Sequence, residues 1–138
     1  MKGKKGKSFV AIMVVIALLA LFLRVVSEKI IKITSSQNES NAQATLKLIS
    51  VALENYARDN RGIYPGSISV LVQTKPAFLD RDYVLQSPIK GYSYSCPRLN
   101  DSGYNCYARP TRCNLTGKVT FSVTTGSLLV SEECDGKE

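Results

Sequence analysis

Fifteen consecutive uncharged, apolar residues, 9–23 (FVAIMVVIALLALFL), follow a tip that carries Lys2, Lys4, Lys5 and Lys7. Nothing else in the 138 residues limits the fold as strongly. A helix needs about 20 predominantly apolar residues to cross the hydrocarbon layer of a bilayer. Residues 8–26 nearly suffice, because Arg24 can snorkel its guanidinium to the far interface while Val25 and Val26 continue the apolar character. The lysine tip then belongs on the cytoplasmic side and the remainder of the chain faces outward. A cleaved secretory signal would share the basic tip and the apolar run. It would also need a small-x-small cleavage site before a polar start, whereas "RVVSEKIIKI" continues with apolar residues at helical spacing. A retained helix is the better of the two readings.

About 100 residues remain for anything folded in water, enough for one domain with a small core. Net charge is +7, but the four lysines of the tip supply most of it and leave +3 for the rest. That is an ordinary surface rather than a basic stripe, and no nucleic-acid partner is expected. Histidine is absent, which removes the commonest general base and the commonest metal ligand together. The chain reads as a non-enzyme without a cofactor or a metal site.

The segment "TSSQNESNAQ", 34–43, is polar and weakly helical, since Ser, Thr and Asn compete for the backbone through their own side chains. It is either helix or a stretch that loosens. From Ala42 the periodicity is clear: Ala42, Leu46, Ile49, Leu53 and Tyr56 step by three and four, with Lys47, Glu54 and Arg58 off the stripe. Leu46, Ile49, Leu53 and Tyr56 are expected to pack a helix onto a sheet. Asp59-Asn60-Arg61-Gly62 ends that helix, with Asn and Gly tolerating a left-handed last turn. Pro65 biases Tyr64 to extended geometry. "GSISVLVQ" then predicts one short helical turn with Ser67 as its N-cap.

The helix-ending "ALENYARDNRGIYP" resembles the A-L-x-x-Y-x-x-D-N-G-x-Y-P signature of the type IV pilin and type II secretion pseudopilin superfamily, with Arg61 inserted before Gly62. The resemblance is closest to the major pseudopilins and covers roughly residues 5–95. Farther along, "LVQTKPAFLDRDYVLQSPIKGYSY" is similar to the family's next segment through Leu71, Leu79, Pro88, Gly91, Tyr92 and Tyr94. "KGKSFVAIMVVIALL" lines up with the prepilin motif, which places leader cleavage between Gly6 and Lys7. Lys7 stands where the family has Phe, and Ala11 stands where it has the assembly glutamate. Some tip-located minor pseudopilins also lack that glutamate.

The resemblance implies an α+β, pilin-like fold: a long N-terminal helix, half membrane-spanning and half amphipathic, packed on a small C-terminal antiparallel sheet. The divisions expected are a basic leader at 1–6, a transmembrane half-helix at 7–33, an amphipathic half-helix at 34–62 and a head at 63–138. It also implies a bacterial inner-membrane location with a periplasmic or extracellular head. The partners implied are other pilin-like subunits, homo- or hetero-oligomeric, together with a prepilin peptidase, an assembly ATPase and a platform protein.

Beyond residue 95 the composition alone speaks. "GYSYSC", "YNCYAR", "KVTFSVTT" and "SLLVSEEC" are rich in β-branched and aromatic residues and separated by turn sequences, which predicts an antiparallel meander. Cys96, Cys106, Cys113 and Cys134 lack any C-x-x-C spacing, and an even count in a small outward-facing region reads as two disulfides. Three connectivities are possible. Pairing the first two strands about the turn at 100–103 favours Cys96 with Cys106 and Cys113 with Cys134. The family's calcium loop is not recognisable, since Asp101 and Asp135 are isolated, and Asn114–Thr116 is a sequon of a kind that arises often by chance.

The leading functional expectation is a structural subunit of a secretion pseudopilus or a type IV pilus. The alternative is a monomeric, membrane-tethered binding domain whose seven tyrosines, Tyr56, Tyr64, Tyr83, Tyr92, Tyr94, Tyr104 and Tyr107, hold a ligand.

Overall fold

The computed structural model of the chain describes residues 4–136. In order, the elements are α1 (Lys4–Asp59), α2 (Ile68–Gln73), β1 (Tyr92–Asn100), β2 (Gly103–Pro110), β3 (Val119–Thr124) and β4 (Leu128–Glu133). The layout is α+β, a long N-terminal helix packed on a four-stranded antiparallel sheet of order β1-β2-β3-β4. By contacts the chain separates into two compact units, Met1–Ile33 and Thr34–Glu138.

In the first unit the helix is apolar on every side through residues 9–23, a pattern that suits lipid or a protein interior better than water. Residues 1–3 of the expected leader lie outside the described residues, and Gly6 and Lys7 fall within the first turns of α1.

In the second unit the polar stretch 34–43 stays helical. Its Ser35 is buried, and Asn38 and Glu39 bond to distant backbone, so tertiary contacts override its weak propensity. Ala42, Leu46, Ile49, Ala52, Leu53 and Ala57 are buried, and Tyr56 is half-buried edge-on to Phe78. From the sheet come Tyr92, Tyr94, Tyr104, Cys106, Ala108, Phe121 and Val123, which alternate with outward residues as a pleated strand requires. Ile68 and Leu71 of α2 and Leu79 of the following loop close the core.

Two local details differ from the sequence expectation. The left-handed residues at the end of α1 are Arg61 (φ 59°) and Gly62 (φ 83°), not Asn60. Asn60 instead donates its side-chain amide to the Tyr56 carbonyl (2.8 Å), while the Gly62 N–H returns to the Ala57 carbonyl (2.7 Å). The extra residue before Gly62 therefore occupies a position that glycine usually fills. Ser67 has the extended backbone of an N-cap but makes no side-chain cap bond. Its carbonyl receives the Val70 N–H, and α2 is held in place by burial of Ile68 and Leu71.

The sheet's turns are pinned covalently. Disulfides join Cys96 to Cys106 and Cys113 to Cys134. The first crosses from β1 to β2 at the bulge between Ser95 and Arg98. The second ties the loop after β2 to the end of β4, where the Cys134 N–H also donates to the Lys118 carbonyl (2.8 Å). For loops of 10 and 21 residues each bridge contributes about 3 kcal/mol on a chain-entropy estimate. For a core this small, that is a large share of the total.

Candidate functional site

Two surfaces of α1 carry the features that could act, one in each unit. In the first unit, the large apolar side chains of residues 9–23 are each 51–66% exposed. At about 100° per residue Phe9, Val10, Leu18 and Leu19 point to four different sides of the helix, and all four are exposed, so no single stripe is set aside for one neighbour. This helix is long and apolar enough to cross a membrane. Ala11 is exposed within it, on a shallow apolar surface shared with Ser8, Ile12, Val15 and Ile16. No carboxylate occurs in the sequence before Glu28, so residues 8–23 offer nothing to neutralise a buried amine. Gly6 and Lys7, the expected cleavage pair, precede this surface directly.

In the second unit, α1 is fastened to the sheet at its edges by polar groups around the apolar stripe. Glu54 is the centre of the larger cluster. One carboxylate oxygen accepts from the Tyr104 hydroxyl (2.9 Å) and the Gly126 N–H (2.7 Å), and the other accepts from the Tyr64 hydroxyl (3.0 Å). The Ser127 N–H donates to the Tyr104 oxygen (3.3 Å), and the Ser50 and Ser127 hydroxyls meet at 3.1 Å. Burial, with Glu54 adding to it, raises the Tyr64 hydroxyl and pushes Tyr104 up to about 12. Both therefore remain neutral donors at ordinary pH.

A second polar contact lies about four turns before Glu54. Asn38 donates its amide to the Thr116 carbonyl (3.0 Å), and a Glu39 oxygen receives the Lys118 N–H (2.7 Å). Nearby, Gly117 approaches the Tyr92 ring so closely that any Cβ would collide with its hydroxyl. That hydroxyl donates to the Val119 carbonyl (2.7 Å), and burial first, then the Glu39 charge, pushes it up to about 12.

These contacts correct one part of the sequence reading. Glu54, placed with Lys47 and Arg58 off the packing stripe, is half-buried and holds three donors, whereas Lys47 and Arg58 are exposed. Its partners lie 10, 50 and 72 residues away, so no local signal marks it. Leu46, Ile49 and Leu53 are fully buried in the core, and Tyr56 packs at its margin. The tyrosines lie mainly inside as well: Tyr83, Tyr92, Tyr94 and Tyr104 are buried, and Tyr56, Tyr64 and Tyr107 are half-buried. Four of the seven rings therefore belong to the core. Among the described residues no group of three His, Cys, Asp or Glu side chains could hold a metal ion.

No family model, curated protein or solved structure matches the chain.

Proposed function

We propose that this protein is a pilin-like structural subunit, held in the inner membrane by residues 7–33 and assembled into a type II secretion pseudopilus or type IV pilus by packing of its helices. The observation that carries this reading is the apolar exposure of residues 9–23 on all sides of α1. A simple anchor needs only length, but a helix that changes from lipid to protein neighbours needs an apolar surface that suits both. The quoted prepilin-like and helix-ending motifs support the same assignment. The protein does no covalent chemistry in this account. Its cleavage, extraction and stacking belong to a prepilin peptidase, an assembly ATPase and a platform protein.

Ala11 shapes the expected role. A cut after Gly6 frees the Lys7 amine, and in an apolar stack that amine needs a carboxylate on a neighbour, because an unpaired charge there is expensive. Ala11 supplies none. The subunit should therefore enter filaments rarely or at their tip, and Ala11→Glu should increase its share of sheared filaments.

Crosslinking in native membranes tests the whole reading. A ladder of oligomers supports the subunit, and a lone monomer supports a tethered domain instead. Abundant native chain along the entire filament, unchanged by Ala11→Glu, would remove amine pairing as the control on assembly.

A further inference from the structure

The end of the first unit has a feature that neither anchoring nor stacking uses. The uncharged part of the helix, residues 8–23, rises only about 24 Å, some 6 Å short of a hydrocarbon layer of about 30 Å. Apolar residues do continue beyond it, but the charged ones all fall outside one arc and share the rest of the surface with Val25 and Ile31. At about 100° per residue, Leu19, Leu23, Val26, Ile30 and Ile33 share one arc, while Arg24, Glu28, Lys29 and Lys32 share the opposite one. The last three turns of this unit thus keep one side free of charge and carry all their cations on the remaining surface, with Lys29 at its flank.

The cations are poorly matched by protein. Arg24 meets Glu28 at 3.7 Å, with both side chains more than 70% exposed, and such a pair contributes little. Lys29 and Lys32 have no carboxylate within salt-bridge distance among the described residues. Three cations against one carboxylate leave this short surface at +2. Topology does not ask for them either. Orientation is set by an excess of Lys and Arg on the cytoplasmic side, and cations at the other end reduce that excess. Here the four lysines of the tip face three cations across the span.

We propose that Arg24, Lys29 and Lys32 form a docking surface for anionic phospholipid headgroups in the leaflet at that end of the helix. The phosphates supply the charge that the protein lacks. Leu23, Val26, Ile30 and Ile33 lie against the upper acyl chains, and Arg24 reaches outward along the apolar flank. The short span is thereby held at one depth, with the mismatch taken up by an amphipathic extension instead of by free sliding of the helix. This inference rests on the membrane-spanning part of the proposed function.

The chain contains no tryptophan, so Val26→Trp gives a single reporter one helical turn from Lys29 and Ile30. The full chain carrying it is reconstituted in vesicles of phosphatidylcholine mixed with phosphatidylglycerol, with one or the other lipid brominated on its acyl chains. The ratio of quenching efficiencies reports which lipid neighbours the helix. We expect phosphatidylglycerol to be favoured, by roughly fivefold for each engaged cation. Lys29→Gln with Lys32→Gln should lower the ratio to roughly the fivefold that Arg24 alone gives, and Lys29→Arg with Lys32→Arg should keep it.

Equal quenching by both lipids in the parent overturns the lipid surface alone, as does a preference that the double glutamine substitution leaves undiminished. A preference that disappears as copies are crowded in the vesicle would assign the lysines to carboxylates of a second copy, and overturns it too. Failure of either lipid to quench Trp is a separate result, which removes the membrane-spanning reading itself.

Discussion

Residues 9–23 and residues 42–57 belong to one helix and present opposite solutions to the same problem. The first stretch is apolar all round and exposes its large side chains, and the second buries an apolar stripe against a sheet. Composition separates them. Between 42 and 57, Lys47, Glu54 and Asn55 break the apolar surface into a stripe that a sheet can cover, whereas between 9 and 23 nothing polar does so. A helix of the first kind depends on its surroundings for a partner, and one of the second kind brings its partner in the same chain.

The comparison breaks most sharply under a single charge. Leu53→Asp places an unpaired carboxylate where Leu53 is fully buried, and we expect a loss of roughly 4–5 kcal/mol, enough to unfold a small head. Leu19→Asp, at a side chain 55% exposed, should leave the head's thermal unfolding unchanged while reducing membrane insertion of the full chain. Lys47→Asp should affect neither. Equal unfolding temperatures for Leu53→Asp and Lys47→Asp in detergent would show that the stripe does not hold the head together.

Glu54 sharpens the contrast, because polar fastening exists only in the second stretch. Glu54→Ala leaves the buried Tyr104 hydroxyl without its acceptor and the Gly126 N–H without its partner. We expect a loss of about 2–3 kcal/mol in chemical denaturation, with α1 still helical by circular dichroism. A loss under 0.5 kcal/mol, within the range of an ordinary surface substitution, would show that water replaces the carboxylate without penalty.

The buried tyrosines give the head an alkaline limit. Tyr92 and Tyr104 are both pushed up to about 12, while an unfolded tyrosine ionises near 10. Their raised values mean that stability is fully present below pH 10 and falls as pH rises from there through 12, because the unfolded chain releases its protons first. The decline should amount to roughly 2 kcal/mol for each residue at the top of that window. Tyr104→Phe should remove part of the slope, read from denaturation midpoints at pH 9, 10 and 11, and leave the part due to Tyr92 and to the hydroxyls of Tyr64, Tyr83 and Tyr94, which burial also raises. A parent whose midpoint is flat to pH 11 would show that these hydroxyls are more hydrated than their burial implies.

What was legible in the sequence follows from how far apart the interacting groups are. The stripe through Leu46, Ile49 and Leu53, the strands and the turn between β1 and β2 are local patterns, and each is visible within about ten residues. The disulfide pairs followed once two strands were set against each other. Residues 34–43 stayed open between helix and loop because Asn38 and Glu39 find their partners 78 and 79 residues on, around Thr116 and Lys118. Glu54 was misplaced for the same reason. The tyrosines were ambiguous for another: a ring that alternates with Ser in "YSYS" is equally suited to a core and to a binding face, and only the position of α1 makes Tyr92 and Tyr94 interior.

The smallest expected effect concerns the place where the packed stretch ends. Arg61 adopts φ 59°, a left-handed conformation in which a Cβ crowds the backbone, and such a residue costs about 1 kcal/mol relative to one without that atom. Arg61 is exposed, and neither of the two salt bridges among the described residues involves it, so nothing in its side chain offsets the strain. Its neighbour Gly62, at φ 83°, already takes its own left-handed position without a Cβ. Arg61→Gly should therefore stabilise the head by a few tenths to about 1 kcal/mol, the relief of strain being partly offset by the greater freedom of glycine in the unfolded chain. Because the Gly62 N–H bond to Ala57 closes the last turn in either case, the helix should end at the same residue, which amide exchange at Asn60 and Gly62 would report. A destabilised Arg61→Gly would mean that the arginine chain makes a packing contribution larger than its strain, and the end of α1 would then be set by that side chain and not by its backbone.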